Sequence, residues 1–212
     1  MSEPQVSRLA TLLAATVLGT VSNNVLNVPL RDITDDFDAS VSAGVLVVSS
    51  FVLTLAAGLA LSGWIGDRFG RRRTLVAALA LMTAGLVAAA LAPSLPVLVA
   101  SRAVQGIACA AIPPAVMGLL VGTFPAERRA RTMGAWAAAN GAGQAVGPPV
   151  GGFVAAAWDW RGIFWLLAPA ALVVAVAAVR TLPDDPGHRT QLHWPGAASL
   201  TGGAALVMAA AT

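Results

Sequence analysis

The chain has 212 residues, 57% of them hydrophobic and only 11% charged, with a formal net charge of +3 and a mean hydropathy of +0.76. Soluble domains carry roughly a quarter charged residues, so there are too few ionised side chains here to wrap a core of this size in a solvated shell, and a water-soluble globule is excluded. The class that remains is an integral membrane protein.

Charges divide the sequence into seven uncharged stretches of 18 to 28 residues, against the ~20 apolar residues that carry a helix across a bilayer. Helices are predicted near residues 9–30, 45–63, 75–92, 96–123, 132–156, 162–182 and 195–212. Lipid cannot satisfy exposed backbone groups, and the segments are too long and too uniformly apolar for the alternating strands of a barrel, so all seven are helical. The first run is 22 residues long and carries three Asn, which sets it apart from a cleaved signal peptide. In it, Gly19, Asn23 and Asn27 fall at i, i+4 and i+8 on one face, with Ser22 and Asn24 beside them. Such amides either bridge helices or line a wet cavity that recognises a substrate.

The second and third helices are joined by a short turn, residues 63–75, reading Gly63-Trp-Ile-Gly66-Asp67-Arg68-Phe-Gly70-Arg71-Arg72-Arg73-Thr-Leu75. Its glycines permit a tight reversal, and Asp67 can meet helix N-terminal amides or Arg71 one turn away. In the fourth helix, Arg102 lies about 9 Å inside the span, where a charge must be paired or snorkel to the outer surface; Gln105 shares its face. Cys109 has no second cysteine to pair with, so no disulfide and no thiolate metal cluster arise, and Pro113 and Pro114 follow in the same span. The fifth helix repeats small residues every four positions, at Ala135, Ala139, Gly143, Gly147, Gly151 and Ala155, a stripe along which another helix packs closely. Pro148 and Pro149 should bend that helix, and Asn140 and Gln144 form a second i, i+4 amide pair. Trp158 and Trp160 at the next turn, and Trp194 at the last span, fit anchoring at the headgroup level.

Ten arginines lie on one side of this layout, two (Arg31 and Arg161) on the other, and Arg102 within a span. Because Lys- and Arg-rich loops stay cytoplasmic, the N-terminus is placed inside. A calculated isoelectric point near 10.9 does not signal nucleic acid, since the arginines are divided among short loops and form no solvated basic face. His188 and His193 lack the neighbours of a zinc site, and no Gly-Lys-Ser/Thr phosphate loop occurs. No metal, cofactor or enzymatic constellation is expected.

The ordered Gly63, Gly66, Asp67, Arg68, Gly70, Arg71 and Arg72 pattern resembles the signature between spans two and three of the major facilitator superfamily. Two further matches follow in order. Arg102-Ala-Val-Gln105-Gly106 is similar to the family's second motif, and Gly143-Gln-Ala-Val-Gly147-Pro148-Pro149-Val-Gly151-Gly152 is similar to its exporter and antiporter motif. Trp158 to Phe164 also resembles the segment entering span six, so the likeness covers essentially the whole chain.

The resemblance implies an all-α fold: a six-helix N-terminal transporter bundle of 3+3 inverted repeats over residues 1–182, a cytoplasmic connection over 183–194, and a seventh span over 195–212 like the first central helix of the fourteen-span drug:proton antiporter branch. It implies a gating role for the 63–72 motif, a coupling role for Arg102, Gln105 and Gly106, and a substrate path past Asn23, Asn27, Asn140 and Gln144. Where that branch carries an acidic residue followed two places later by Thr in span one, this chain has Ser22 and Asn24, and no Asp or Glu lies deep in any span. The expected activity is efflux of drugs or small metabolites through the cell membrane, proton-coupled when complete. The expected partners are the bilayer, a small-molecule substrate, and a missing C-terminal half or a second copy. The alternative is a non-transporting half or accessory subunit.

Overall fold

The computed structural model describes residues 2–187, and within them the long uncharged runs of Ala, Leu and Val fold as helices with no strand between them. In chain order these are α1 (Glu3–Asn24), α2 (Leu30–Asp36), α3 (Val41–Phe69), α4 (Arg71–Ala90), α5 (Leu95–Thr123), α6 (Ala126–Ala157) and α7 (Trp160–Thr181). Local chemistry sets several ends. Pro4 and Pro96 sit in the first turns of α1 and α5, where a missing amide proton costs nothing. Ser40 caps α3 by accepting the Ala43 amide at 3.2 Å.

Helix α5 is the central element, packed between α3 and α4; α4 also lies on α7, and α1 lies on α6, α7 and the edge of α5. Leu12, Leu75, Leu79, Met82, Leu86, Val116 and Phe164 are fully or almost fully shielded between these helices. The outer faces are apolar too, with Phe153, Val173, Leu172 and Leu46 all exposed, the inverse of a water-soluble surface. Lipid tails are as apolar as leucine, so close packing and buried polar bonds hold such a bundle, rather than escape from water.

Six of the predicted spans correspond to α1 and α3–α7, with shifted ends. Helix α1 stops at Asn24, which leaves Asn27 exposed in the following turn instead of on a helical face; Pro29 ahead disfavours helix at the residue before it. The short α2 in the acidic loop was not anticipated. The expected 63–75 turn is almost entirely helical. Helix α3 runs through Gly63 and Gly66 to Phe69, α4 starts at Arg71, and only Gly70 lies between them, at φ +95°. An added Cβ there would be strained and would collide with the Asp185 carbonyl. Helices α3, α4, α5 and α7 are long and apolar enough to cross a membrane. Helices α1 and α6 are long enough but less apolar, because Thr, Asn, Gln and Gly occupy the faces they turn to each other and to a cavity.

Trp160 is not an interfacial anchor. It is 1% exposed, with Phe37 at 5.6 Å and Phe164 edge-on at 6.0 Å, whereas Trp158 is 79% exposed. The expected seventh span over 195–212, Trp194, His188 and His193 lie outside the described residues.

Candidate functional site

At the end of the bundle where α3 meets α4, the Gly70 corner brings Asp67 and Arg71 together across two helices. Asp67 Oδ1 accepts from Arg71 Nη2 at 3.0 Å and Nε at 3.3 Å, and Arg71 Nη1 donates to the Gly118 carbonyl of α5 at 3.2 Å. Asp67 and Arg71 are partly exposed, so the pair contributes only a few tenths of a kcal/mol to stability; its effect is to fix the corner against α5. Gly63 and Gly66 line a cavity of about 320 Å³ beside this clamp with Pro114, Met117 and Met133. Arg68 lies over Trp64 and Phe69 instead of joining the clamp, and Arg72 pairs with Asp184 and the Val179 carbonyl. Asp185 accepts the Arg71 amide at 3.1 Å, capping the start of α4. Sequence reasoning missed this acidic pair; Asp-Asp one turn beyond a span that ends beside a basic corner was the available signal.

In the middle of the bundle Arg102 is fully buried and does not snorkel. Nη1 donates to the Ser22 carbonyl at 3.1 Å and to Gln105 Oε1 at 2.7 Å, and Nε donates to the Val47 carbonyl at 3.4 Å. The guanidinium lies 4.2 Å from the centre of the Phe51 ring, a desolvated cation–π contact. Gln105 donates onward to the Gly85 carbonyl at 2.8 Å and is itself fully buried. These bonds tie α1, α3, α4 and α5 to one point. They also place Gln105 in packing between helices. Gly106 lets α3 and α5 pack closely: a Cβ would collide with the Phe51 carbonyl and Thr54 Oγ1, and Thr54 Oγ1 donates to the Ala103 carbonyl at 2.9 Å.

The amide patch divides. Asn23 and Asn140 face one cavity of about 100 Å³ between α1, α3, α5 and α6, with Thr16, Thr20, Leu55, Trp136 and Cys109. Gln144 is exposed and donates to Asn140 Oδ1 at 2.9 Å, orienting that amide from outside the cavity. Asn27 lies in the turn after α1 and joins neither. Cys109 is buried, its Sγ 3.5 Å from the Gly19 carbonyl. The indole nitrogen of Trp136 is buried without a partner among the described residues.

The small-residue stripe of α6 packs on α1. Gly143 and Gly151 lie so close to it that a Cβ would collide with Thr20 Oγ1 and the Val25 carbonyl respectively, and a Cβ on Gly147 would be 3.0 Å from that of Asn24. Gly152, one residue round, meets only the end of the Val28 side chain, and Pro148 and Pro149 lie within the continuous helix. At the opposite end from the Gly70 corner, Arg161 bonds Asp36 at 2.7 Å and covers the Trp160 ring at 4.1 Å.

Residues 11–210 match the family profile described as Major Facilitator Superfamily. The Methylenomycin A resistance protein of Streptomyces coelicolor is 30% identical over 194 residues, 91% of this chain and 41% of that protein. The multidrug efflux pump LfrA of Mycolicibacterium smegmatis is 34% identical over 178 residues, 84% of this chain and 35% of that protein. The puromycin resistance protein pur8 of Streptomyces alboniger is 35% identical over 193 residues, 89% and 38% respectively. The chain thus spans less than half the length of these curated relatives. Among solved structures, an inward-facing, unoccupied bacterial homologue of the human lysosomal transporter Spinster aligns with a TM-score of 0.77 at 19% identity, over 90% of this chain and 46% of that one. The proton:xylose symporter XylE aligns with a TM-score of 0.72 at 21% identity, over 94% and 48%. At these identities the structural likeness speaks for the fold.

Proposed function

The chain belongs to the Major Facilitator Superfamily, a family of multi-pass membrane transporters and not of enzymes, and from that premise we propose that it is the N-terminal portion of a secondary active exporter of drugs or small metabolites in the cell membrane. The observation that carries this reading is the cavity between α1, α3, α5 and α6, where the amides of Asn23 and Asn140 face inward beside the hydroxyls of Thr16 and Thr20, in a chain whose relatives are named for drug resistance and efflux.

In this reading the N-terminus is cytoplasmic, which the distribution of arginine supports. Asp67, Arg71 and the Gly118 carbonyl latch the cytoplasmic end when the outward state forms, with Gly63, Gly66, Arg68, Gly70 and Arg72 shaping that corner. Residues 143–152 let α6 rock against α1 as a unit, since a glycine surface offers little to unlock between two arrangements. Asn23 and Asn140 contact the substrate, with Gln144 holding Asn140 in place. Arg102, Gln105 and Gly106 form the fixed pivot around which coupling is organised. The second bundle is supplied by further chain, as the length of the relatives supports, and closes the path over the exposed faces of α3 and α6. Proton coupling needs a group that titrates; the described spans hold no deep carboxylate, so that group comes from the second bundle.

The test is transport in everted membrane vesicles carrying the chain together with whatever coding sequence follows it in frame. Puromycin or ethidium accumulation that collapses when the proton gradient is dissipated, and falls at least about tenfold in Asn23→Ala and Asn140→Ala with normal expression, is the expected result. Accumulation indifferent to both substitutions would overturn the site, and no accumulation under any ion gradient would overturn the transporter reading.

A further inference from the structure

Helices α3 and α4 meet at the Gly70 corner, and α5 packs between them. They leave a groove of about 420 Å³, with Ile107 and Ala111 of α5 as its floor and Leu61, Ile65, Phe69 and Leu81 along its walls. Leu61, Ile65, Phe69, Leu81 and Ile107 are all partly open to the outside. Cys109 and Pro113, which line the cavity that holds Asn23 and Asn140, lie two residues or ~200° around α5 from Ile107 and Ala111. The groove and that cavity therefore occupy opposite sides of the helix.

The hydroxyls in the groove are spent within its walls: Ser62 donates to the Gly58 carbonyl at 2.6 Å and Thr74 to the Gly70 carbonyl at 3.0 Å. One charged side chain lines it, that of Arg73 in the first turn of α4, at the corner end. The other arginines of the corner are engaged, Arg71 with Asp67, Arg72 with Asp184, and Arg68 over the Trp64 and Phe69 rings. Arg73 is exposed and has no ion pair among the described residues. Residues 188–212 contain no Asp or Glu, so they bring no carboxylate to it.

From Phe69 to Gly58 the groove follows α3 for about 16 Å, against ~15 Å for one leaflet, half of the ~30 Å hydrocarbon core. A channel one leaflet deep, apolar along its length and cationic where headgroups lie, has the chemistry of a phospholipid with net negative charge. Arginine-rich ends face the cytoplasmic leaflet, where anionic lipids give the surface its negative potential. A protein helix also suits apolar walls, but a second bundle that covers the Asn23 and Asn140 cavity approaches from the other side of α5.

We infer that the groove between α3 and α4 holds an acyl chain of an anionic phospholipid whose phosphate pairs with the Arg73 guanidinium. The inference needs the membrane location and is independent of the export reading.

The experiment is native mass spectrometry of the purified 212-residue chain, released from micelles containing phosphatidylglycerol and phosphatidylcholine with the same acyl chains. The wild type should retain one phosphatidylglycerol in preference to phosphatidylcholine. Arg73→Gln should lower that preference about fivefold, the weight of one arginine at a membrane surface. Arg180→Gln, which removes an exposed arginine outside the groove, should leave it unchanged. Ala77→Phe puts a ring into the groove and should abolish retention. Should that variant fail to fold, short-chain phosphatidylglycerol, which cannot fill the groove, makes the same test on the wild type and should not be retained. Glycerol phosphate, the headgroup without its chains, should not displace the bound lipid. Equal preference in the wild type and Arg73→Gln, an equal fall in Arg180→Gln, or retention surviving Ala77→Phe would overturn the assignment. So would retention of the short-chain lipid, displacement by glycerol phosphate, or loss of the lipid when in-frame sequence supplying a second bundle is expressed with the chain.

Discussion

Alanine at Gly151 places a methyl group against backbone, and backbone cannot turn aside. The new Cβ would run into the Val25 carbonyl oxygen, with the carbonyl carbon at 2.9 Å and Val25 Cγ2 at 3.2 Å, so α6 must lift from α1. At Gly141, on the same helix, nothing lies within 4 Å of the added methyl. Both substitutions gain the same helix propensity, about 1 kcal/mol for Gly to Ala, and that term cancels in the comparison. What remains is the overpacking cost at Gly151, about 1–3 kcal/mol, which corresponds to roughly 2–12 °C in midpoint at this chain length. Gly152→Ala falls between them, because its neighbour at 3.0 Å is the movable Cγ1 of Val28. Thermal unfolding of the three variants in nanodiscs gives the order Gly141→Ala, Gly152→Ala, Gly151→Ala from most to least stable. Equal midpoints for Gly141→Ala and Gly151→Ala would refute the idea that the α1–α6 seam is set by backbone contact.

Asp67→Asn keeps the shape of the corner and removes the carboxylate from Arg71; the midpoint should move by less than about 0.5 kcal/mol equivalent while gradient-driven accumulation in vesicles drops, and a matched loss of both would make the clamp merely structural. Trp160→Ala should cost about 3–5 kcal/mol, as for other large buried aromatics, against about 0.5 kcal/mol or less for the exposed Trp158→Ala; denaturant titration that ranks them the other way contradicts the burial of Trp160. Gly70→Ala forces a methyl into a backbone conformation that L-residues avoid and against the Asp185 carbonyl. A loss of about 1–3 kcal/mol is expected, together with faster proteolysis after residue 182, and unchanged cleavage would show that the connection does not depend on that corner.

The helices were legible because their signal is length without charge, and the bilayer imposes it on every span alike. The stripe from Gly143 to Gly151 was legible for the same kind of reason: a four-residue repeat of missing side chains has few uses other than close approach. Helix ends were harder to read. Gly63 and Gly66 suggest a turn in the sequence, yet only Gly70 takes the left-handed conformation, because a helix entering water need not stop where its apolar run does. The central amides were harder still. Asn23, Asn27, Gln105, Asn140 and Gln144 look equivalent as residue types, but which way each points depends on pairing between helices far apart in sequence. Gln105 is occupied by Gly85, twenty residues away, and nothing in the sequence around Gly85 announces a carbonyl in wait. Trp160 was misread because a tryptophan at a span boundary fits the headgroup region by statistics, while its burial depends on Phe37 across a loop.

Asp184 and Asp185 have a mechanical consequence. Three successive features of the α3–α4 corner are occupied by them: the Arg72 guanidinium by Asp184, and the Arg71 amide and the space beside Gly70 by Asp185. The strand of chain leaving α7 is thereby strapped across the base of the bundle. A tilt of α3 against α4 would therefore have to break or carry with it the Asp184 and Asp185 contacts.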